Sequence, residues 1–122
     1  MSIRLQEVLP DLAHELTALL QDMDEPDLVR QIPQLLLVDR CCCGDDFCAT
    51  FYTAPKPNGA YGPTHETISL NPSTGEMILD LVDRNIVCVE ILFRDEIRKK
   101  IVKLFAETAG DIDLPDMGAY TQ

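Results

Sequence analysis

The sequence predicts a single α+β domain, in which an antiparallel sheet of about five strands carries its first and last helices on one face. Apolar residues recur at helical spacing before residue 31, and again after residue 94. Between these two regions, segments of alternating polarity are separated by turn residues, which is typical of a β-meander. At 122 residues, the chain has the length of one domain with a modest core.

Two helices are expected before the sheet. The first covers about residues 10–23, and Pro10 suits its first turn because the missing N–H costs nothing there. Its apolar positions are Leu9, Leu12, Leu16, Leu19, Leu20 and Met23. Pro26 begins a short second helix at about residues 26–31, which ends before Pro33.

Strands are expected at about residues 35–43, 47–53, 66–71, 76–82 and 86–92. The first begins with a continuous apolar run, so we expect it to be buried on both faces. In the turn before the fourth strand, Gly75 is free to adopt a positive φ. The inner face of the last two strands is expected to carry Met77, Leu79, Leu81, Val87, Val89 and Ile91.

The C-terminal helix is expected at about residues 94–109, with Gly110 ending it. Its apolar stripe consists of Ile97, Ile101, Leu104 and Phe105. The tail at 110–122 has no periodicity, so we expect it to be extended or loosely docked.

Charge and composition disfavour several classes of function. Twenty-one acidic residues against ten basic ones give a formal net charge of −11, which repels nucleic acid and anionic membranes and suits a basic protein partner. No apolar run approaches the ~20 residues that span a bilayer, and the first residues lack the order of a signal peptide. The expected location is therefore the cytoplasm of a bacterium, where thiols stay reduced.

Four of the five cysteines lie between residues 41 and 48, around the turn residues Gly44-Asp45-Asp46. An even hairpin loop places Cys43 opposite Cys48, with their Cβ atoms ~4.5–5.5 Å apart. Cys41, two residues before Cys43, points to the same face, and Cys42 points to the other. Three thiols then converge on one face, whereas a three-residue loop pairs Cys42 with Cys48 instead.

This cluster has several interpretations. The favoured interpretation is structural, with small thiols packed in a tight hairpin. The alternatives are a reversible Cys43–Cys48 disulfide and a zinc site made by Cys41, Cys43 and Cys48, with His65 as the fourth ligand; His14, on the polar side of the first helix, is a poorer choice. Neighbouring carboxylates are expected to raise the thiol pKa values, which disfavours a reactive thiolate, and no residue pattern indicates a particular enzymatic reaction.

A loop of about twelve residues follows the hairpin and ends at His65. Loops of this length are often functional, and Lys56, Asn58 and Tyr61 are its candidate partner-binding residues. Tyr61 either anchors an interface from the loop tip or packs back over the sheet.

Residues 66–92 resemble part of a family of short, uncharacterised bacterial β-meander domains. The last strand of that family reads like residues 86–92, Ile-Val-Cys-Val-Glu-Ile-Leu, after a turn such as Asp83-Arg84-Asn85. This chain departs from the family pattern by lacking a glycine in that turn and by adding the cysteine hairpin. The resemblance implies a small meander and no activity.

The expected function is that of a non-enzymatic protein-interaction or regulatory module. The alternative is a zinc- or redox-responsive protein that uses Cys41, Cys43 and Cys48.

Overall fold

The computed structural model describes residues 3–41, 43 and 45–109, the last three of these by their backbone alone. The predicted helix stop at Gly110 and the predicted tail at 110–122 lie outside the described residues. In chain order the elements are β1 (Ile3–Arg4), α1 (Leu5–Val8), α2 (Pro10–Asp22), α3 (Pro26–Val29), a 3-10 turn (Ile32–Gln34), β2 (Leu36–Leu37), β3 (Asp39–Arg40), β4 (Phe51–Tyr52), β5 (His65–Ser69), β6 (Glu76–Val82), β7 (Asn85–Leu92) and α4 (Asp95–Ala109).

The predicted α+β architecture is confirmed. In the described part of the chain, a five-stranded antiparallel sheet has the order β3-β4-β7-β6-β5, and β1 and β2 form a second, two-stranded sheet. Strands β6 and β7 form the centre with long ladders, whereas β3 and β4 contribute only two residues each. The cysteine segment therefore lies at one edge of the sheet and β5 at the other.

The predicted first strand, 35–43, is not continuous. Its start pairs with the N-terminus through Ile3↔Leu37, and its continuation pairs with β4 through Asp39↔Tyr52. Because the two halves belong to different sheets, the strand divides at Val38, whose N–H donates to Tyr52 O at 2.9 Å. The predicted strand 47–53 is likewise reduced to β4 and one isolated bridge between Cys48 and Leu92.

The β6–β7 register corrects one predicted core position. Asp80 pairs with Cys88 and Leu81 with Ile86, so Val87 has no place in the ladder. At this β-bulge, the pattern of core-facing side chains along β7 shifts by one residue. Ile86 is therefore buried, and Val87, expected on that face, is only half-buried.

Two turns hold the meander in register. Gly75 has φ of +74°, as predicted, and a Cβ there would lie 2.6 Å from Leu92 O. Asp83 and Arg84 both have positive φ, as a two-residue hairpin turn requires, although neither is glycine. Arg84 ties this turn to α3 through ion pairs with Glu25 at 2.7 Å and Asp27 at 3.0 Å.

One hydrophobic core joins the two longer helices to one face of the sheet. It contains Leu12, Leu16 and Leu20 of α2, Ile97 and Ile101 of α4, and Phe51, Leu79, Val89 and Ile91 of the sheet. Met23, predicted on the apolar stripe of α2, is exposed because the helix ends at Asp22. No helix in the described part of the chain has the length and apolar content needed to cross a membrane.

Candidate metal centre

The hairpin register brings three thiols together. Asp39 pairs with Tyr52 and Arg40 with Phe51, and the Cys41 N–H continues this register with a 2.9 Å bond to Thr50 O. A hairpin that keeps this register has Cys43 opposite Cys48, as expected for an even loop.

The Sγ atoms of Cys41, Cys43 and Cys48 all lie within 4.8 Å of one another, so the predicted convergence of these thiols is confirmed. The predicted direction of Cys42 lies outside the described residues. We call Cys41, Cys43 and Cys48 the thiol cluster.

The cluster is open to solvent on one side. Cys43 is exposed, whereas Cys41 and Cys48 are half-buried. All three are free thiols, as is Cys88, which is only 3% exposed in the middle of β7. An ion from solution therefore has direct access to the cluster and none to Cys88.

Cys48 ionises more easily than an ordinary cysteine thiol. Burial opposes its ionisation, yet its pKa lies below the usual value, because Thr50 donates hydrogen bonds from its hydroxyl and its N–H, and the thiols of Cys43 and Cys41 donate as well. The expectation that nearby carboxylates raise every thiol pKa is thus wrong for Cys48. For Cys41 the direction is as expected, but the main cause is burial, which raises its pKa to about 12.

Thr50 is a functional residue that the sequence reasoning missed. Its Oγ1 accepts a hydrogen bond from the N–H of Ile91 at 3.1 Å. The same hydroxyl donates to Cys48, and this hydrogen bond is one of the interactions that lower the pKa of that thiol. The available signal was a hydroxyl residue two positions after Cys48 in the returning strand, which places both side chains on one face.

The donor set fits a soft metal ion. Thiolates prefer zinc, Cu(I) and similar ions, and Zn–S bonds near ~2.3 Å require sulfurs ~3.8 Å apart, which needs a change of at most about 1 Å, since the Sγ atoms already lie within 4.8 Å of one another. Rotation of the exposed Cys43 side chain supplies such a shift. No fourth Cys, His, Asp or Glu among the described residues joins the three sulfurs, so an ion bound there would keep a position for a further ligand.

His65 and His14 do not approach the cluster in the described structure. His65 lies on β5, three strands from β4 in the sheet order, which is about 14 Å at the usual strand spacing. Its Nε2 is 2.9 Å from Asp80 Oδ1. His14 is exposed on α2. Local patterns do not predict that β5 lies at the opposite edge, because strand order depends on pairings distant in the chain.

The long loop packs back over the sheet. Tyr61 lies against His65 with 4.7 Å between ring centroids, and Lys56 lies over the Tyr52 ring at 5.1 Å and pairs with Asp39 at 3.6 Å. Asn58 is exposed. The role of Lys56, Asn58 and Tyr61 in partner binding stays a prediction.

Beneath this loop lies a second polar cluster, on the sheet face away from the core. Asp80 is 5% exposed and contacts both His65 and Glu90. The hydrogen bond with Asp80, burial and repulsion from Asp80 raise the pKa of Glu90 to about 7, while His65 acts in the opposite direction. Burial and the same carboxylate also raise the pKa of Cys88. Asp80 thus interacts with His65, Glu90 and Cys88 and links them into one network.

Comparison with known proteins gives no relative from which function could be transferred: no family model, no curated protein and no solved structure matches the chain. The resemblance to bacterial β-meander domains therefore stays a prediction, and any functional argument depends on the geometry of the site.

Proposed function

We propose that this chain is a small metal-binding protein, which holds one zinc ion or a similarly thiophilic ion through Cys41, Cys43 and Cys48. The observation that carries the proposal is the mutual distance of the three Sγ atoms, all within 4.8 Å. Packing alone is a weaker explanation, because Cys43 is exposed and buries little apolar surface.

The electrostatics favour a definite order of binding. Cys48, with its lowered pKa, supplies the first thiolate. An ion held there then favours loss of the protons of Cys41 and Cys43, because a cation stabilises neighbouring thiolates. Binding should therefore release protons and strengthen as pH rises.

The site supports regulation better than catalysis. A cysteine nucleophile needs a nearby base, and His65 is instead bonded to Asp80 near the opposite edge of the sheet. In a metal-responsive protein, the ion would fix a loop that is held by two-residue strands on either side. The interaction role expected from the acidic charge is compatible with this and stays a prediction.

The test is a titration of the reduced protein with Cd²⁺ and Zn²⁺. Cd²⁺ binding is monitored by the ultraviolet absorption of the thiolate-to-Cd²⁺ charge-transfer band, and Zn²⁺ binding is measured by competition with a chelator. We expect one ion per chain, and loss of most of the affinity in each of Cys41→Ser, Cys43→Ser and Cys48→Ser. Cys88→Ala is the matched control, because it removes a buried thiol outside the cluster and should bind as the unaltered protein does.

Substoichiometric binding, or equal affinity in all four variants, would show that the thiol cluster is packing. Cys42→Ser is a further check. If it abolishes binding while Cys43→Ser does not, the ligand assignment is wrong.

A further inference from the structure

An exposed aromatic pair lies beside the thiol cluster. The rings of Phe47 and Phe93 stack with 5.2 Å between centroids, although the two residues are 43% and 56% exposed. Stacking covers one face of each ring and leaves the remainder in water. Exposed aromatic side chains of this kind are favoured anchors of protein interfaces. We call these residues the Phe47–Phe93 pair.

The backbone holds this pair at the surface. Phe93 has φ of 62°, a left-handed conformation that is rare for a bulky side chain. Its N–H donates to Phe47 O at 2.9 Å, next to the bridge between Cys48 and Leu92. Strained conformations persist where the surrounding structure fixes them, and they concentrate at functional sites. Here the strained residue presents an aromatic ring to solvent.

Charged residues adjoin both members of the pair in the chain. Asp45 and Asp46, directly before Phe47, are both exposed. Arg94, directly after Phe93, is occupied by this chain's own acids, with both nitrogens of its bidentate contact 2.9 Å from Glu15 oxygens. Phe47 therefore directly follows two exposed carboxylates, in a chain of formal net charge −11.

We infer that the Phe47–Phe93 pair, together with Asp45 and Asp46, docks an arginine-bearing segment of a basic partner protein. A guanidinium plane stacks on an aromatic face and pairs with carboxylates at its edge, which is the combination displayed here. A second copy of the chain is a poor occupant, since each copy carries −11. Residues 110–122 are also a poor occupant of this surface, because they contain three aspartates and no lysine or arginine.

This inference goes beyond metal binding and uses ring and carboxylate atoms, not thiols, so either proposal can fail alone. The probe is a fluorescein-labelled peptide that alternates arginine and serine, with its binding to the reduced full-length chain followed by fluorescence anisotropy. Phe93→Gly relieves the positive φ while removing the ring, so its fold should be kept. We expect roughly tenfold weaker binding in Phe93→Gly and in Phe47→Ser, as well as weaker binding of the lysine version of the peptide.

The matched control is Met23→Ser, which removes an exposed apolar side chain elsewhere and should leave binding unchanged. Asp45→Asn/Asp46→Asn should weaken binding more than Asp11→Asn/Asp22→Asn, a pair of exposed acids on α2 that changes the net charge equally. Equal binding by Phe93→Gly and the unaltered protein would mean non-specific charge attraction and would overturn the inference. So would a dimer that Phe93→Gly dissociates, or peptide binding that appears only when residues 110–122 are removed.

Discussion

Thr50 links the sheet to the thiol cluster by a single hydroxyl. The oxygen accepts the N–H of Ile91 in β7, and the proton is directed to Cys48. Because Thr50 is only 9% exposed and its hydroxyl bonds to both Ile91 and Cys48, this hydroxyl has less freedom to rotate away from Cys48 than that of a surface side chain. At the residue scale, the ionisation of Cys48 therefore depends on Thr50, a residue outside the thiol cluster.

Replacing Thr50 by valine should raise the pKa of Cys48, because the thiolate loses a donor. Below that pKa, the alkylation rate of Cys48 should fall several-fold, since each unit of pKa changes the thiolate fraction about tenfold. Alkylation mapped to Cys48 by mass spectrometry across a pH series gives the measurement. Thr50→Ser keeps the hydroxyl and should retain most of the original rate; equal slowing by serine and valine would contradict the role of that hydroxyl.

Strand β7 contributes to the hydrophobic core with one face and to the second polar cluster with the other. Val89 and Ile91 face the hydrophobic core, while Cys88 lies next to Asp80 and Glu90 meets the same carboxylate on the opposite face. The long loop covers this second face by placing Tyr61 against His65. The two carboxylates therefore share a partly buried site, where keeping one proton avoids two adjacent negative charges.

The Asp80–Glu90 contact should make stability depend on pH. The hydrogen bond with Asp80 raises the pKa of Glu90 from 4.5 to about 7, so its contribution is complete below the lower value and is lost as pH rises through the higher one. Glu90→Gln keeps a donor toward Asp80 at every pH. Its free energy of unfolding, measured with urea, should therefore fall less than that of the unaltered protein between about pH 5 and 8.

The expected difference is below about 1 kcal/mol, because Glu90 is only partly buried and water screens the pair. His65, Tyr61 and Cys88 face the same site; burial raises the pKa values of Tyr61 and Cys88, so both stay protonated in this pH range in either protein. Glu76→Gln, at an exposed position that begins β6, serves as the control. If the two variants respond identically to pH, the coupling between the strands is absent.

For the whole molecule, the thiol cluster and the hydrophobic core lie in different parts of the fold. The core joins α2, α4 and one face of the sheet, whereas the thiol cluster lies in the loop between β3 and β4. Few ladder pairs hold that loop, so an ion bound to the three thiols would stabilise the folded chain by mass action.

Adding Zn²⁺ should raise the thermal unfolding midpoint of the reduced protein. At a free concentration of about 100 times Kd, the stabilisation is about 2.7 kcal/mol, which corresponds to a rise of roughly 10 °C for a chain of this size. Differential scanning fluorimetry with and without a chelator measures this shift. Cys48→Ser should show no rise, and Cys88→Ala should show the full rise from its own midpoint; a rise common to both would point to binding elsewhere.

Local patterns were enough to predict the helices and the meander. The spacing of Leu12, Leu16 and Leu20, and the turns at Gly75 and Asp83-Arg84, act within a few residues of sequence. The same local reasoning placed Cys41, Cys43 and Cys48 together, because a hairpin register is set by its own loop. It failed for Val87 and for the continuous strand at 35–43, where a bulge and a change of sheet partner come from distant pairings.

By itself, therefore, the sequence determined the α+β class, the acidic surface and the three-thiol cluster of the hairpin. Only the tertiary structure decided that His65 lies across the sheet from the cluster, that Thr50 lowers the pKa of Cys48, and that Phe47 stacks on Phe93. The reason is physical. Periodicity and turn chemistry depend on neighbours along the chain, whereas strand order and side-chain contacts depend on which distant segments are buried together.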